Sequence, residues 1–209
     1  MSDSNGLKFA VFDFDRTLYH GFSAIDFWIF FLKKHPASFI YFFYQIFCAI
    51  LYFFGIISPE SFKEKILIFF KNKTKEEVQQ LVKEFWQKNF KKINQEVRQA
   101  LDDNKKEGLT IVCISASYNF ILNEIREKLG IYQILSTTYD FNSKKIVGYN
   151  CKGENKVKLL KEWVQKEYNA MDFTVQKAYS DSRVDLPLLR LAREGFFVKR
   201  GKIEKINQI

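Results

Sequence analysis

The chain has 209 residues, enough to bury a core without disulfides or a structural metal, and its length fits one domain with a large insertion or two modest domains. Its three cysteines, Cys48, Cys113 and Cys151, are scattered and lie outside any CxxC or Cys/His spacing, which argues against a disulfide framework or a zinc site and for a reducing compartment. The formal charge of +9 admits nucleic acid, anionic lipid or a phosphorylated substrate as a partner, but no arginine, the usual planar reader of bases and phosphates, occurs between Thr17 and Val97, so no nucleic-acid partner is expected.

The polar opening Met1–Gly6 lacks the pattern of a secretory signal, which leads us to expect work on the cytoplasmic side. The run "LKFAVFDF" that follows reads as a fully buried strand ending in Asp13 and Asp15. From about Tyr19 to Asp102 the chain is rich in Phe, Tyr and Lys and carries helix starts, Ser58-Pro59-Glu60 and a Thr74…Glu77 capping box, so this region reads as an all-helical insertion. "LTIVCIS", Leu109–Ser115, is a second buried strand. A helix over Tyr118–Leu129, capped by Ser117 and stopped at Gly130, is predicted next, then a small hairpin within Thr137–Asn150 and a helix over Glu154–Tyr168. "FTVQKAYS", Phe173–Ser180, is a third strand running into Asp181, followed by a turn at Pro187 and the helical "LLRLAR". Strands alternating with helices predict an α/β fold, a Rossmann-like parallel sheet with an inserted all-helical cap. The expected division is a core of residues 1–18 and 103–209 and a cap of residues 19–102.

In such sheets ligands bind beyond the carboxyl ends of the strands, and all three strands end in Asp or Ser. Hydrolysis of a phosphate ester needs a positioned nucleophile, a proton donor and cations that offset the anionic charge. Asp13 suits the nucleophile, because a carboxylate attacks without first losing a proton, and Asp15 suits the general acid and base. Asp13, the backbone carbonyl of Asp15 and Asp181 offer the hard oxygens that Mg²⁺ prefers, with Asp185 as a further ligand or as an anchor behind them. Ser115 and Lys156 are placed to bind the phosphoryl oxygens, and Thr17 to support the turn or join them.

"DFDRT", "CISAS", Lys156 within "GENKVKLL" and "YSDSRVDLPLL" together resemble the four ordered motifs of the haloacid dehalogenase superfamily of phosphohydrolases. The resemblance implies a Rossmann-like core, an aspartyl-phosphate intermediate and Mg²⁺. A long insertion between the first two motifs is similar to the cap of the phosphoserine-phosphatase-like subgroup. Phosphoserine-selective relatives carry a glutamate nine residues beyond the nucleophile and an arginine in the cap. Here the ninth residue is Phe22, with Asp26 one turn on as a substitute, and the cap lacks arginine up to Arg98.

In place of those groups stands Ala37–Ile57, without a single charge and as long as a membrane-crossing helix needs to be. A simple span would separate Asp13 from Ser115, Lys156 and Asp181, which must meet. Either this segment is a buried central helix of the cap, or "FWIFFLKKHP" and the run after it form a helical hairpin that dips into one leaflet. The hairpin is preferred, because the cap has few other helices to cover so continuous an apolar surface. The lysines from Lys63 to Lys106 are then expected to face anionic lipid. The pattern resembles enzymes of the phosphatidylglycerophosphatase C type, which implies a phosphorylated lipid substrate at the cytoplasmic face of a membrane. A soluble phosphatase of a small metabolite is the alternative.

Overall fold

In the computed structural model, residues 6–206 are described, so Met1–Asn5 of the polar opening and residues 207–209 of the expected core lie outside them. Seven strands form a single sheet in the order β4-β3-β2-β1-β5-β6-β7. The central five run parallel: β1 (Lys8–Phe12), β2 (Thr110–Tyr118), β3 (Gln133–Asp140), β5 (Thr174–Ser180) and β6 (Ala192–Lys199). The antiparallel strands β4 (Lys145–Val147) and β7 (Lys202–Lys205) close the two edges.

β1 sits in the middle, with β2 on one side and β5 on the other, and its side chains alternate between two cores. Ala10 and Phe12 belong to one core and Phe9 and Val11 to the other. Both faces of this strand are covered, which is why it is apolar without alternation. The second core is closed by α8 (Glu154–Tyr168), through Leu160 and Val164, and by α9 (Leu186–Leu191), through Leu188 and Leu189.

Five helices lie between β1 and β2: α1 (Ser23–Lys34), α2 (Phe42–Phe53), α3 (Pro59–Ile66), α4 (Lys75–Asn89) and α5 (Gln95–Lys106). Both expected helix starts are present. The Ser58 hydroxyl accepts from the Ser61 amide at 3.1 Å, and Thr74 and Glu77 form a reciprocal capping box. Residue 102, the expected edge of the cap, falls inside α5, which packs against β2 and β7. α4 turns Val78, Val82, Phe85 and Trp86 into the first core, and the Trp86 indole donates to the carbonyl of Ile121 at 2.7 Å.

Two expectations are corrected. Tyr118–Leu129 is not one helix: β2 continues to Tyr118, which pairs with Thr137 of β3, and the chain then makes α6 (Asn119–Leu122), a 3₁₀ turn and α7 (Arg126–Leu129). Asn119 accepts from the Tyr139 amide at 3.0 Å, and this tie to β3 replaces the helical continuation. Ser117 does not cap; its hydroxyl meets that of Ser23 at 2.7 Å. The expected helical turn after Pro187 is present as α9, and β6 and β7 follow it in a stretch for which no strand was expected. The second correction concerns α2, which is not a buried central helix, since Cys48 is its one buried residue. Pro36–Phe53 is the one helical stretch among the described residues that is long and apolar enough to cross a membrane. α2 packs on α3, where Tyr52 stacks on Phe62 and Gln45 donates to the Ile66 carbonyl at 2.6 Å, and it meets α1 where Phe42 stacks on Trp28.

Candidate active site

The carboxyl ends of β1, β2 and β5 converge on a cavity of about 400 Å³. Asp13 follows directly on β1, and its amide donates to the Tyr179 carbonyl at 2.9 Å, extending the pairing with β5. The chain then turns sharply. Thr17 and Tyr19 both donate to the Phe14 carbonyl, and Arg16 takes a left-handed conformation at φ 62°, uncommon for a residue with a side chain. The Thr17 hydroxyl donates to Asp13 Oδ2 at 3.2 Å and accepts from the Asp181 amide at 3.0 Å. It is fully buried behind Asp13, tying the β1 turn to the β5 turn, and does not line the cavity, so the expectation that it also binds phosphate is dropped.

Lys156 comes from the first turn of α8. The turn before that helix needs Gly153, whose φ of 58° and ψ of −127° lie in a region that essentially only glycine occupies. The Lys156 ammonium donates to Asp13 Oδ1 at 2.5 Å and to Asp185 Oδ2 at 2.7 Å, and all three residues are buried. Burial alone would lower this lysine's pKa, but the two carboxylates outweigh it and hold it above the ordinary value. For Asp13 burial is the larger influence and raises the carboxyl, against the opposing pull of Lys156. Asp185 also accepts from the Ser180 hydroxyl at 2.8 Å, so its carboxylate is held between Lys156 and Ser180.

Asp15 accepts from the Ser23 amide, at the start of α1, at 2.8 Å, and burial pushes it up to about 7. Asp181 lies 3.3 Å from Arg16 Nε; burial first, and the neighbouring Asp13 second, push it up to about 6. Ser115 is buried in the cavity wall with its hydroxyl accepting from the Ser117 amide at 3.0 Å. Six of the seven expected site residues thus share one cavity, and Thr17 stands behind them. Among the described residues no group of three or more His, Cys, Asp or Glu side chains converges as a metal-ligand set. Two carboxylates, Asp13 and Asp181, and the main-chain carbonyl of Asp15 remain as the oxygen donors that the cluster offers.

A family model for haloacid dehalogenase-like hydrolases matches residues 10–190. The chain belongs to this family. No curated protein matches the sequence. A crystal structure of a protein with unknown function from Bordetella pertussis Tohama I superposes with a TM-score of 0.75 at 20% identity, covering 91% of this chain and 89% of that one. A phosphoserine phosphohydrolase-like protein from Francisella tularensis subsp. tularensis SCHU S4 does so at 0.56 and 21%, covering 90% and 86%. A phospho-aspartyl intermediate analogue of phosphoserine phosphatase does so at 0.59 and 17%, covering 91% and 86%. At these identities the likeness is one of fold.

Sequence reasoning missed three cations that line this cavity, Arg16, Lys63 and Lys152. Arg16 sits inside "DFDRT" and pairs with Asp181. Lys63, expected at a lipid surface, instead lines the cavity from α3, donating to the Ala116 carbonyl and, at 3.1 Å, to the Thr137 hydroxyl. Burial lowers its pKa to about 8. Nothing in "SFKEKIL" distinguishes Lys63 from Lys65, because only the docking of α3 over the strand ends decides which one turns inward. Asp26, weighed as a substitute for the missing glutamate, is outside the cavity, held by the Tyr19 hydroxyl at 2.6 Å and Lys92 at 2.8 Å.

Proposed function

We propose that the protein is a phosphatase that hydrolyses a phosphomonoester through an aspartyl-phosphate, with Asp13 as nucleophile. The observation that carries this reading is the buried Asp13–Lys156–Asp185 chain opening on a cavity that also holds Asp15. Lys156 orients one Asp13 oxygen and Thr17 the other, so the carboxylate is aimed before substrate arrives. An Asp13 oxygen bonds to phosphorus as the ester oxygen–phosphorus bond breaks, and Asp15 delivers a proton to the departing alkoxide. Asp15 then takes a proton from the water that attacks the aspartyl-phosphate, releasing phosphate and restoring Asp13. A carboxyl held near 7 is suited to both transfers at neutral pH. Ser115 and Lys156 bind the phosphoryl oxygens. In the strand-end cluster four carboxylates face two side-chain cations, Lys156 and Arg16, and an anionic substrate needs further positive charge there. The donors Asp13, Asp181 and the Asp15 carbonyl are hard oxygens that fit Mg²⁺, which when bound supplies that charge.

We read helices α1–α4 as the cap and a membrane lipid phosphate, of the phosphatidylglycerophosphate kind, as the substrate. This reading is supported by the apolar side chains that α2 and its flanks turn to solvent, including Phe43 at 72%, Phe53 at 83% and Phe54 at 69% exposure. Lys63 and Lys152, which line the cavity beyond the nucleophile, suit a substrate with a second anionic group. A soluble small-metabolite phosphatase is the second reading, favoured by the phosphoserine phosphatase folds above. Asp13→Asn is expected to lose at least about a thousandfold in kcat on an aryl phosphate with Mg²⁺; activity equal to wild type would remove the nucleophile. Flotation with anionic vesicles separates the two substrate readings: a protein left at the bottom of the gradient belongs to the second.

A further inference from the structure

α2 is uncharged throughout and apolar on both sides. Phe43, Phe47, Phe53 and Phe54 face solvent on and just beyond it. Phe42, Gln45, Ile46 and Ala49, spaced as one helical face, line a groove of about 310 Å³, with Trp28 of α1 on another wall. That volume falls within the roughly 300–1,000 Å³ of ligand-binding clefts. Its walls carry no charged side chain. Gln45 is engaged by the Ile66 carbonyl, and Trp28 Nε1 is the one buried side-chain atom there without a hydrogen-bond partner among the described residues. The groove adjoins the catalytic cavity: Ala24, Ile25, Phe62, Ile66 and Tyr118 line both.

We infer that this groove holds the hydrocarbon chain of the substrate while its phosphate sits at Asp13. The inference deepens the lipid-phosphate reading and rests on it. A single ligand filling both spaces must carry a phosphate at one end and an apolar chain at the other. The five shared residues set the groove directly beside the phosphate site, which favours that occupant over a separate apolar partner, and Ile46 and Ala49 on α2, both solvent-accessible, form the side from which a chain enters.

The test compares kcat/KM for monoalkyl phosphates from butyl to decyl, each below its micelle threshold, with Mg²⁺ and without vesicles. Each methylene that enters the groove is expected to raise kcat/KM by about fourfold until the groove is full. Ala49→Trp, which narrows the groove, is expected to flatten the series from butyl to decyl. Equal values from butyl to decyl, or an undiminished slope in Ala49→Trp, overturn the inference. Titration calorimetry with the matching alkylphosphonates reads the same chain dependence without turnover. A steep calorimetric series supports the groove even if no phosphate is released, in which case the phosphatase reading fails alone. Turnover of phosphorylated lipid in vesicles beside a flat soluble series sinks the groove alone.

Discussion

The strand ends and α2 depart from the usual partition of residues in opposite directions. Around Asp13 the protein buries ionised groups, and on α2 it exposes aromatic ones. Each arrangement opposes stability when taken alone, since a buried charge loses hydration and an exposed apolar face gains nothing from folding. The buried cluster is tolerable because its charges are matched one against another: Lys156 serves two carboxylates, and the hydroxyls of Thr17 and Ser180 take further lone pairs. No such matching exists along α2, whose outward side chains meet only solvent. The contrast teaches that the first irregularity is resolved inside the molecule, while the second asks for something outside it.

Breaking the internal matching has the largest expected effect. Lys156→Met strands Asp13 and Asp185 as buried carboxylates and is expected to lower stability by about 3–5 kcal/mol in urea denaturation, together with loss of activity. If stability is unchanged, the ammonium is not what holds the cluster. On the other side of the comparison, Phe53→Glu with Phe54→Glu is expected to weaken vesicle binding by about a hundredfold or more while moving stability by no more than about 0.5 kcal/mol, because neither side chain is buried. Co-sedimentation and thermal melts report the two quantities separately; a large stability loss would mean that these rings pack within the protein.

Lys63 links the two regions and predicts a pH dependence. Its folded pKa of about 8 lies below the ordinary 10.5, so between these values the unfolded chain binds the proton that the folded protein has released. Stability contributed at this position therefore rises with pH from about 8 to 10.5, by something on the order of 3 kcal/mol, and is lowest below 8 where the buried amine is charged. Denaturation at several pH values should show that rise in the wild type and not in Lys63→Met. The smallest effect is expected far from both regions: Thr74→Ala removes one half of the capping box and should cost about 1 kcal/mol without altering kcat.

Much of the site was legible because its chemistry is local. β1 is a short run of apolar residues closed by Asp13 and Asp15, and the same grammar recurs at Ser115 and at Asp181, so three strand ends could be read as one place. Thr17 shows where that reading stops. Its position beside the nucleophile is visible in the sequence, but its commitment to Asp13 and the Asp181 amide depends on two turns 164 residues apart. Asp185 is similar, since its choice of Lys156 follows from the packing of α8 beside α9. The broken helix after Tyr118 was missed because Tyr118 satisfies a strand pairing with β3 that no local window contains.

By itself the sequence determined the α/β alternation, the carboxylates at strand ends, the helix caps at Ser58 and Thr74 and the uncharged run that became α2, all of which arise from periodicity and from short-range hydrogen bonding. Only the tertiary structure decided that Lys63 rather than Lys65 enters the cavity, that Asp26 is spent on Tyr19 and Lys92, and that α2 lies on α3 with its aromatic side open. Those outcomes depend on how α1–α4 dock above the sheet. Docking sums many long-range contacts of similar size, and no single stretch of sequence encodes that sum.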